Sequence, residues 1–193
     1  MKFVPLTFLA TLLAGAFALS SSAASETFVI DTDRAHASIA FRIKHLGFSW
    51  LTGRFDDFNG TFTFDAKKPE NSTVKVEIDT KSVNTNHAER DKHLRGKDFL
   101  NVSKYPTATF ESTGVKLNGD AATITGKLTL HGVTKEIEIA AKPVGGGEDP
   151  WGGYRQGFTG ITQLALKDFG IDYDLGPASQ VVDMTLDIEG IRQ

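Results

Sequence analysis

The run His87–His93, with the sequence HAERDKH, is the densest group of potential metal ligands in the chain. On a helix, His87 and Asp91 would share one face and Glu89 and His93 another, because residues four apart are neighbours. A zinc or iron site needs three or four converging ligands, and two pairs on different faces do not supply them. Two basic residues are interleaved, which is more typical of a solvated turn with ion pairs. We therefore predict no metal site.

Other catalytic motifs are absent or weak. The chain contains no G-x-S-x-G, H-E-x-x-H or G-x-x-x-x-G-K-[ST] sequence, the motifs that mark many hydrolases, metalloproteases and P-loop proteins. Asp56 and Asp57 are adjacent, and adjacent strand residues point to opposite faces, so they cannot form a simple acid–base pair. The glycine-rich segment Gly145–Gly153 could cradle a phosphate, but it carries two acidic residues, which favours a flexible hairpin loop. We predict no enzymatic activity and no cofactor.

Composition narrows the function further. None of the 193 residues is cysteine, which excludes disulfides, thiolate metal sites and cysteine nucleophiles. The 21 Lys and Arg residues against 24 Asp and Glu give a net charge of −3, so nothing indicates a general attraction to nucleic acid or to anionic lipid surfaces. We expect no nucleic-acid partner.

The first 24 residues have the pattern of a secretory signal peptide. Met1-Lys2 is positive, Leu6–Leu19 is apolar and uncharged, and Ser22-Ala23-Ala24 fits the cleavage pattern. The apolar stretch is shorter than the ~20 residues that span a bilayer as a helix. We predict a signal peptide over residues 1–24, cleavage near Ala24, and one domain over residues 25–193 with no stable membrane insertion.

Alternation of apolar and polar residues dominates the predicted domain. Phe62 and Phe64, for example, alternate with threonines, the pattern of half-buried strands, which pair antiparallel. Turn sequences such as Phe58-Asn59-Gly60 join them, while helix formers around Ala88–Leu94 predict one or two helical turns. We predict an all-β fold, an extended eight-stranded antiparallel barrel with a short helical insertion; a sandwich is the alternative.

The same alternation predicts which side chains face the barrel interior. An eight-stranded barrel either fills its interior with side chains or leaves room for one small ligand, and the pattern alone does not choose between them. Strands such as Ala121–Leu130 would be about 33 Å long, which suits a linear apolar ligand. The positions predicted to line such a tunnel are Ile39, Phe41, Ile43, Phe62, Phe64, Val76, Ile78, Phe110, Leu128, Phe158, Met184 and Leu186.

Five segments resemble the YceI family of periplasmic proteins. They match in order and cover essentially the whole predicted domain: HLGFSWLTGRFDDFNGTFTFD (His45–Asp65), TNHAERDKHLRGKDFLNVSKYPTATF (Thr85–Phe110), LHGVTKEI (Leu130–Ile137), DPWGGYRQGF (Asp149–Phe158) and LKDFGIDYDLGPASQVVD (Leu166–Asp183).

The resemblance implies a lipocalin-like barrel in the periplasm whose apolar tunnel binds a polyisoprenoid lipid, such as the tail of a quinone or a prenyl precursor. It permits a homodimer and carries over no catalytic residue. Two alternatives stay open: an enzyme acting on an isoprenoid or quinone headgroup, and a structural or interaction protein with a filled core that supports a membrane electron-transfer partner. Polar selection is expected at the tunnel mouth, with His45, Trp50, His93, Arg95 and Trp151 as candidates.

Overall fold

The computed structural model describes residues 25–33 and 36–193, so the predicted signal peptide lies outside the described residues. No helix within these ranges is long and apolar enough to cross a bilayer. Short 3₁₀ turns occur at Pro69–Asn71, Thr80–Ser82 and Leu166–Phe169. The helix and strands are β1 (Glu26–Ile30), β2 (Ser38–His45), β3 (Ser49–Phe55), β4 (Phe58–Phe64), β5 (Thr73–Asp79), β6 (Val83–Asn84), α1 (Ala88–Leu94), β7 (Thr107–Asn118), β8 (Ala121–Leu130), β9 (Val133–Glu148), β10 (Tyr154–Ala165) and β11 (Val181–Arg192).

The strands form one sheet that closes on itself. The hydrogen-bonded order is β1-β4-β5-β7-β8-β9-β10-β11-β2-β3-β6, and an additional pairing of β1 with β11 completes the barrel. β1 and β2 are two parts of one interrupted barrel strand, because both pair antiparallel with β11 along one line. β3 with β4, and β5 with β6, are related in the same way. Over the described residues, the protein is thus the predicted closed eight-stranded antiparallel barrel with one short helix.

One predicted turn is wrong. The sequence Phe58-Asn59-Gly60 lies inside β4, and the chain instead departs from strand geometry at Asp56 and Asp57. Phe58 is buried there. A Cβ atom on Gly60 would lie 2.5 Å from the Lys75 carbonyl oxygen, so this glycine marks a close approach of two strands rather than a turn.

The predicted loop Gly145–Gly153 is partly strand in the structure. Residues Gly145–Glu148 form the end of β9 and pair with Tyr154–Gly157 on β10. Only residues 149–153 make the connection. Pairing of the flanking strands therefore extends through glycines whose composition alone indicates a loop.

The interior side chains form two clusters rather than one continuous core. One cluster contains Phe28 and Phe62, and the other contains Phe110 and Phe169. Half-buried Met184 packs against both. The interior between the two clusters is where a cavity can remain.

Strand glycines make room for two of the large rings. A Cβ atom on Gly190 would lie 2.4 Å from the ring of Phe62, and one on Gly126 would lie 2.4 Å from the ring of Phe110. The Phe62 ring also stacks on Phe28, with centroids 4.8 Å apart and planes 8° apart. Interiors are packed closely enough that one added methyl group is felt, so these glycines are part of the packing.

Candidate binding cavity

A cavity of about 770 Å³ lies inside the barrel, and members of both core clusters line it. All twelve interior positions predicted from the alternation lie on its wall. Six of them are buried and six are half-buried; the half-buried ones are Phe41, Ile43, Phe64, Phe158, Met184 and Leu186. Inward-pointing side chains of a closed barrel keep accessible surface where they border empty space. Their contact with a ligand stays a prediction.

The cavity extends toward both ends of the barrel. We call one end the α1 end, because it carries α1 together with the turns 46–48 and 131–132, and the other the far end, which carries the turns 119–120 and 149–153. His45, Arg90 and His93 line the cavity near the α1 end, whereas Asp120 and Lys142 line it near the far end. Among the described residues, the charged and imidazole groups on the cavity wall thus lie toward its ends, and the middle of the wall is uncharged.

The five predicted mouth residues do not form one mouth. His45 and His93 line the cavity at the α1 end. Trp50 is on the same hairpin, but it is one residue out of phase with Leu51, which points into the cavity, and successive strand residues face opposite sides. Trp151 lies in the turn 149–153, at the opposite end of the barrel.

Arg95 has a local partner that the sequence did not reveal. Its Nε donates to the Lys81 carbonyl oxygen and its guanidinium donates to that of Val83, each at 2.7 Å. These bonds attach the end of α1 to the 3₁₀ turn Thr80–Ser82 and to β6. The arginine on the cavity wall is Arg90. Its guanidinium donates to the hydroxyl and carbonyl oxygens of Thr85 at 2.7 and 2.8 Å.

His93 belongs to an aromatic group that borders the α1 end of the cavity. Its ring lies edge-to-face with Phe99 at 5.0 Å and with Tyr173 at 5.3 Å between centroids. Its Nε2 is 2.9 Å from a carboxylate oxygen of Asp98. Phe99 and Tyr173 also line the cavity. Tyr173 was not among the predicted site residues because its segment shows no periodicity that would place it on an inward face.

The residues of the His87–His93 run separate in the structure. His87 caps α1, its Nδ1 accepting from the Arg90 N–H at 3.3 Å. Asp91 is buried and accepts from the Thr85 N–H at 2.8 Å and from the Thr85 hydroxyl at 2.5 Å. Desolvation raises the pKa of Asp91, but these hydrogen bonds and the nearby Arg95 and Arg90 lower it more, so the pKa lies below its ordinary value. The carboxylate stabilises the attachment of α1.

A second group of potential ligands lies outside the cavity and is filled by an arginine. Asp31, His36 and Glu189 have ligand atoms within 4.8 Å of one another. The Arg155 guanidinium donates to Asp31 at 2.6 Å and to Glu189 at 2.5 Å. Hydrogen bonding to Asp31 raises the pKa of Arg155 above its ordinary value despite desolvation. A fixed cation therefore already occupies the place that a metal ion would need.

The backbone amides of the turn 149–153 bind the carboxylate of Asp149 and are not free to bind a phosphate. Asp149 accepts from the N–H groups of Trp151 and Gly153 at 2.9 and 2.8 Å. The hydrogen bond from the Gly153 N–H, together with those from the Trp151 N–H and Arg155, lowers the pKa of Asp149 more than desolvation raises it. The protein's own side chain thus takes up the amides that could cradle an anion.

The sequence of the chain matches known proteins. The family model for the YceI-like domain matches residues 28–190. A relative, the UPF0312 protein of Pseudomonas aeruginosa strain LESB58, is 63% identical over 187 residues, which cover 97% of this chain and 98% of the relative.

Solved structures share the fold. The YCEI protein of Campylobacter jejuni is 29% identical with a TM-score of 0.71, over 78% of this chain and 90% of that one. A polyisoprenoid binding domain from Saccharophagus degradans has a TM-score of 0.60 over 86% of this chain and 98% of that one; at 15% identity this likeness shows the fold alone. With the family model matching nearly the whole described chain, the protein belongs to the family of YceI-like domains.

Proposed function

We propose that this protein binds a long-chain isoprenoid lipid, such as a quinone tail or a prenyl precursor, inside the barrel. The observation that carries the proposal is the cavity of about 770 Å³ whose middle is apolar and whose charged groups lie toward its ends. Small-molecule sites commonly measure about 300–1,000 Å³. The strands that enclose the cavity reach 16 residues in length, so the space favours a linear molecule over a globular one.

Burial of the chain would supply most of the affinity. Each CH₂ group removed from water contributes about 0.8 kcal/mol, and side chains such as Phe41, Met184 and Leu186 leave apolar surface uncovered for such a chain. A headgroup would lie at the α1 end, where His45, Arg90 and His93 line the cavity. The name of the Saccharophagus degradans domain, which shares this fold, supports an isoprenoid as the chain.

The protein would act as a binding or carrier protein rather than as an enzyme, in keeping with its family. The signal-peptide pattern of residues 1–24 supports a periplasmic location. A homodimer and a membrane electron-transfer partner stay predictions, which the mass of the protein in solution and its co-purification with membrane components would test.

Mass spectrometry of lipid extracted from the purified protein tests the proposal. We expect an isoprenoid lipid in chemically unchanged form and in stoichiometric amount. The variant Ile43→Trp, which adds bulk to the cavity wall, should lose most of it, while Ile161→Trp should keep it, because Ile161 is 60% exposed and does not line the cavity. A folded wild-type protein that carries no lipid and takes up no polyprenol from detergent would contradict the proposal, and chemical conversion of the lipid would favour an enzyme.

A further inference from the structure

The hairpin of β2 and β3 presents three large apolar side chains to solvent beside the cavity. Leu46 is 57% exposed, Phe48 is 87% exposed and Trp50 is 46% exposed. On the same hairpin, His45 and Leu51 line the cavity. Exposed apolar groups that cluster in this way commonly mark an interaction surface, and this one adjoins the α1 end of the cavity.

The backbone of the turn holds Leu46 in an unfavourable conformation. The φ angles of Leu46 and Gly47 are 52° and 84°, and the Phe48 N–H donates to the His45 carbonyl oxygen at 2.9 Å, as in a type I′ β-turn; the turn lies in a three-residue connection, because His45 pairs with Ser49. Such turns prefer Asn-Gly or Asp-Gly, and leucine rarely adopts a positive φ. A leucine that is both exposed and strained at this position contributes little to packing, which points to a role in recognition.

The turn is held from behind and projects as a fixed unit. The Ser179 hydroxyl donates to the Lys44 carbonyl oxygen at 2.5 Å. A Cβ atom on Gly47 would lie 3.7 Å from the Cβ atom of Ala178. The segment after β10 therefore supports the base of the turn and leaves Leu46 and Phe48 facing outward.

The charges of this hairpin suit a phospholipid surface. From Ser38 to Phe55 the sequence contains no Asp or Glu. Lys44 Nζ lies 5.6 Å from the centroid of the Trp50 ring. The Arg42 guanidinium lies 4.3 Å from the same centroid, and its Nε also donates to Asp183 at 3.0 Å. Tryptophan is enriched at membrane–water interfaces, and lysine and arginine can keep their charged ends among the headgroups while their stems contact apolar groups.

The far end lacks this combination. Its exposed apolar residues include Val144 at 73% and Trp151 at 69%, on β9 and in the following turn, and Leu117 at 48%, near the end of β7. Glu148 and Asp149 add negative charge beside the first two, and Asp120 lies three residues after Leu117. The Trp151 ring lies 5.6 Å from the guanidinium carbon of Arg155. Val144 therefore offers an exposed apolar control that is outside the hairpin.

We propose that the turn 46–48 docks reversibly on the surface of a phospholipid bilayer. Leu46 and Phe48 enter the boundary between headgroups and acyl chains, and Trp50 and Lys44 lie at the headgroups. This inference rests on the proposed function, since a water-insoluble chain needs a protected path between a bilayer and the cavity. Asp172 and Asp174 are in the segment that supports the turn, so apolar insertion rather than net charge drives the docking.

Flotation with phosphatidylcholine vesicles tests the docking directly. The double variant Leu46→Asn/Phe48→Ser should bind vesicles about tenfold more weakly than wild type, or worse, because it removes the inserted apolar surface. It should still fold, since asparagine suits the turn. Val144→Ser should bind like wild type. Adding phosphatidylglycerol should strengthen wild-type binding by at most about fivefold, the effect of one basic residue near an anionic surface, and Lys44→Gln should remove that gain.

Tryptophan fluorescence gives an independent reading of depth. The chain has two tryptophans, so the variant Trp151→Phe leaves Trp50 as the only reporter. Brominated lipids should quench the Trp50 emission of the Trp151→Phe protein, and should not quench it when Leu46→Asn and Phe48→Ser are added. The proposal is overturned if wild type does not associate with vesicles, if the double variant associates equally well, or if the hairpin changes alter only the oligomeric state in solution, which would assign the turn to a second copy of the chain.

Binding of a polyprenol supplied in detergent separates this inference from the proposed function. The double variant should bind the polyprenol like wild type but take it up from vesicles about tenfold more slowly. If vesicle docking is intact and no polyprenol binds, the proposed function fails and the docking stands. If the polyprenol binds and enters both proteins from vesicles at the same rate, the docking proposal is wrong and the cavity function stands.

Discussion

Phe62 and Ile43 both lie on the inward phase of their strands and on the cavity wall, yet they are packed to different degrees. Phe62 is 6% exposed, and its ring contacts those of Phe28 and Phe158 at centroid distances of 4.8 and 5.6 Å. Ile43 is half-buried and borders the cavity near the α1 end. The same sequence pattern therefore gives tight packing at one place and uncovered apolar surface facing the cavity at the other.

The largest effect is expected at the packed position. Phe62→Ala should lower the free energy of unfolding by about 3–5 kcal/mol, because it removes a buried ring and leaves a void between its neighbours. Phe48→Ala should change it by less than about 0.5 kcal/mol, since Phe48 is 87% exposed. Urea unfolding of the two variants measures both. Equal effects would remove the distinction between packed and open regions.

A methyl group added at Gly190 tests whether the space around the Phe62 ring is already filled. Gly190→Ala should destabilise the protein by about 1–3 kcal/mol, the usual cost of overpacking, because the new Cβ atom would lie 2.4 Å from the Phe62 ring and 2.9 Å from the Phe28 Cβ atom. Gly145→Ala is the control, because no atom of the described residues lies within 4 Å of its Cβ position. If thermal unfolding shows equal stability for the two variants, the Phe62 ring can accommodate a side chain at position 190.

The attachment of α1 should depend on pH. Asp91→Ala should cost about 1–2 kcal/mol at neutral pH, because it leaves the Thr85 N–H without its acceptor. The pKa of Asp91 is lowered in the folded protein, so its stabilisation is present above its unfolded pKa of about 3.8 and is lost as the pH falls through the folded value. The difference between wild type and variant should therefore shrink below about pH 4. Hydrogen exchange of the α1 amides, followed as a function of pH, measures this difference. Glu89→Ala changes the exposed side of α1 and is the control; it should show no such pH trend.

The open position should matter more for ligand than for stability. Ile43→Ala should cost only about 1 kcal/mol, less than a fully packed isoleucine, because Ile43 already borders empty space. It should nevertheless weaken binding of a polyprenol severalfold, since it removes apolar contact surface. A titration that shows unchanged affinity, together with a stability loss as large as that of Phe62→Ala, would place Ile43 in the packed region.

Alternation predicted much of the fold because the period of a strand fixes the direction of its side chains. The eight-stranded barrel, the helix over Ala88–Leu94 and the strand Ala121–Leu130 agree with the structure. The turn at Phe58-Asn59-Gly60 was wrong, because Gly60 is required by the approach of β5. A local sequence pattern does not report such a contact between distant segments.

Tertiary contacts decide how tightly each inward side chain is packed and which polar residues line the ends of the cavity. Phe41 and Phe110 are both inward-facing phenylalanines, but Phe41 is half-buried and Phe110 is 7% exposed. Arg95 and Arg90 are both on or next to α1, and only their partners in the fold decide which one lines the cavity. Periodicity carries no information on either point.

Titration with a series of isoprenoid chains, each with and without its headgroup, tests the central claim most directly. If burial in the cavity drives binding, affinity should rise with each added five-carbon unit that fits, by up to about 4 kcal/mol on the basis of 0.8 kcal/mol per CH₂ group, and loss of the headgroup should matter less. Affinity that is independent of chain length and disappears with the headgroup would contradict the account and identify a headgroup receptor.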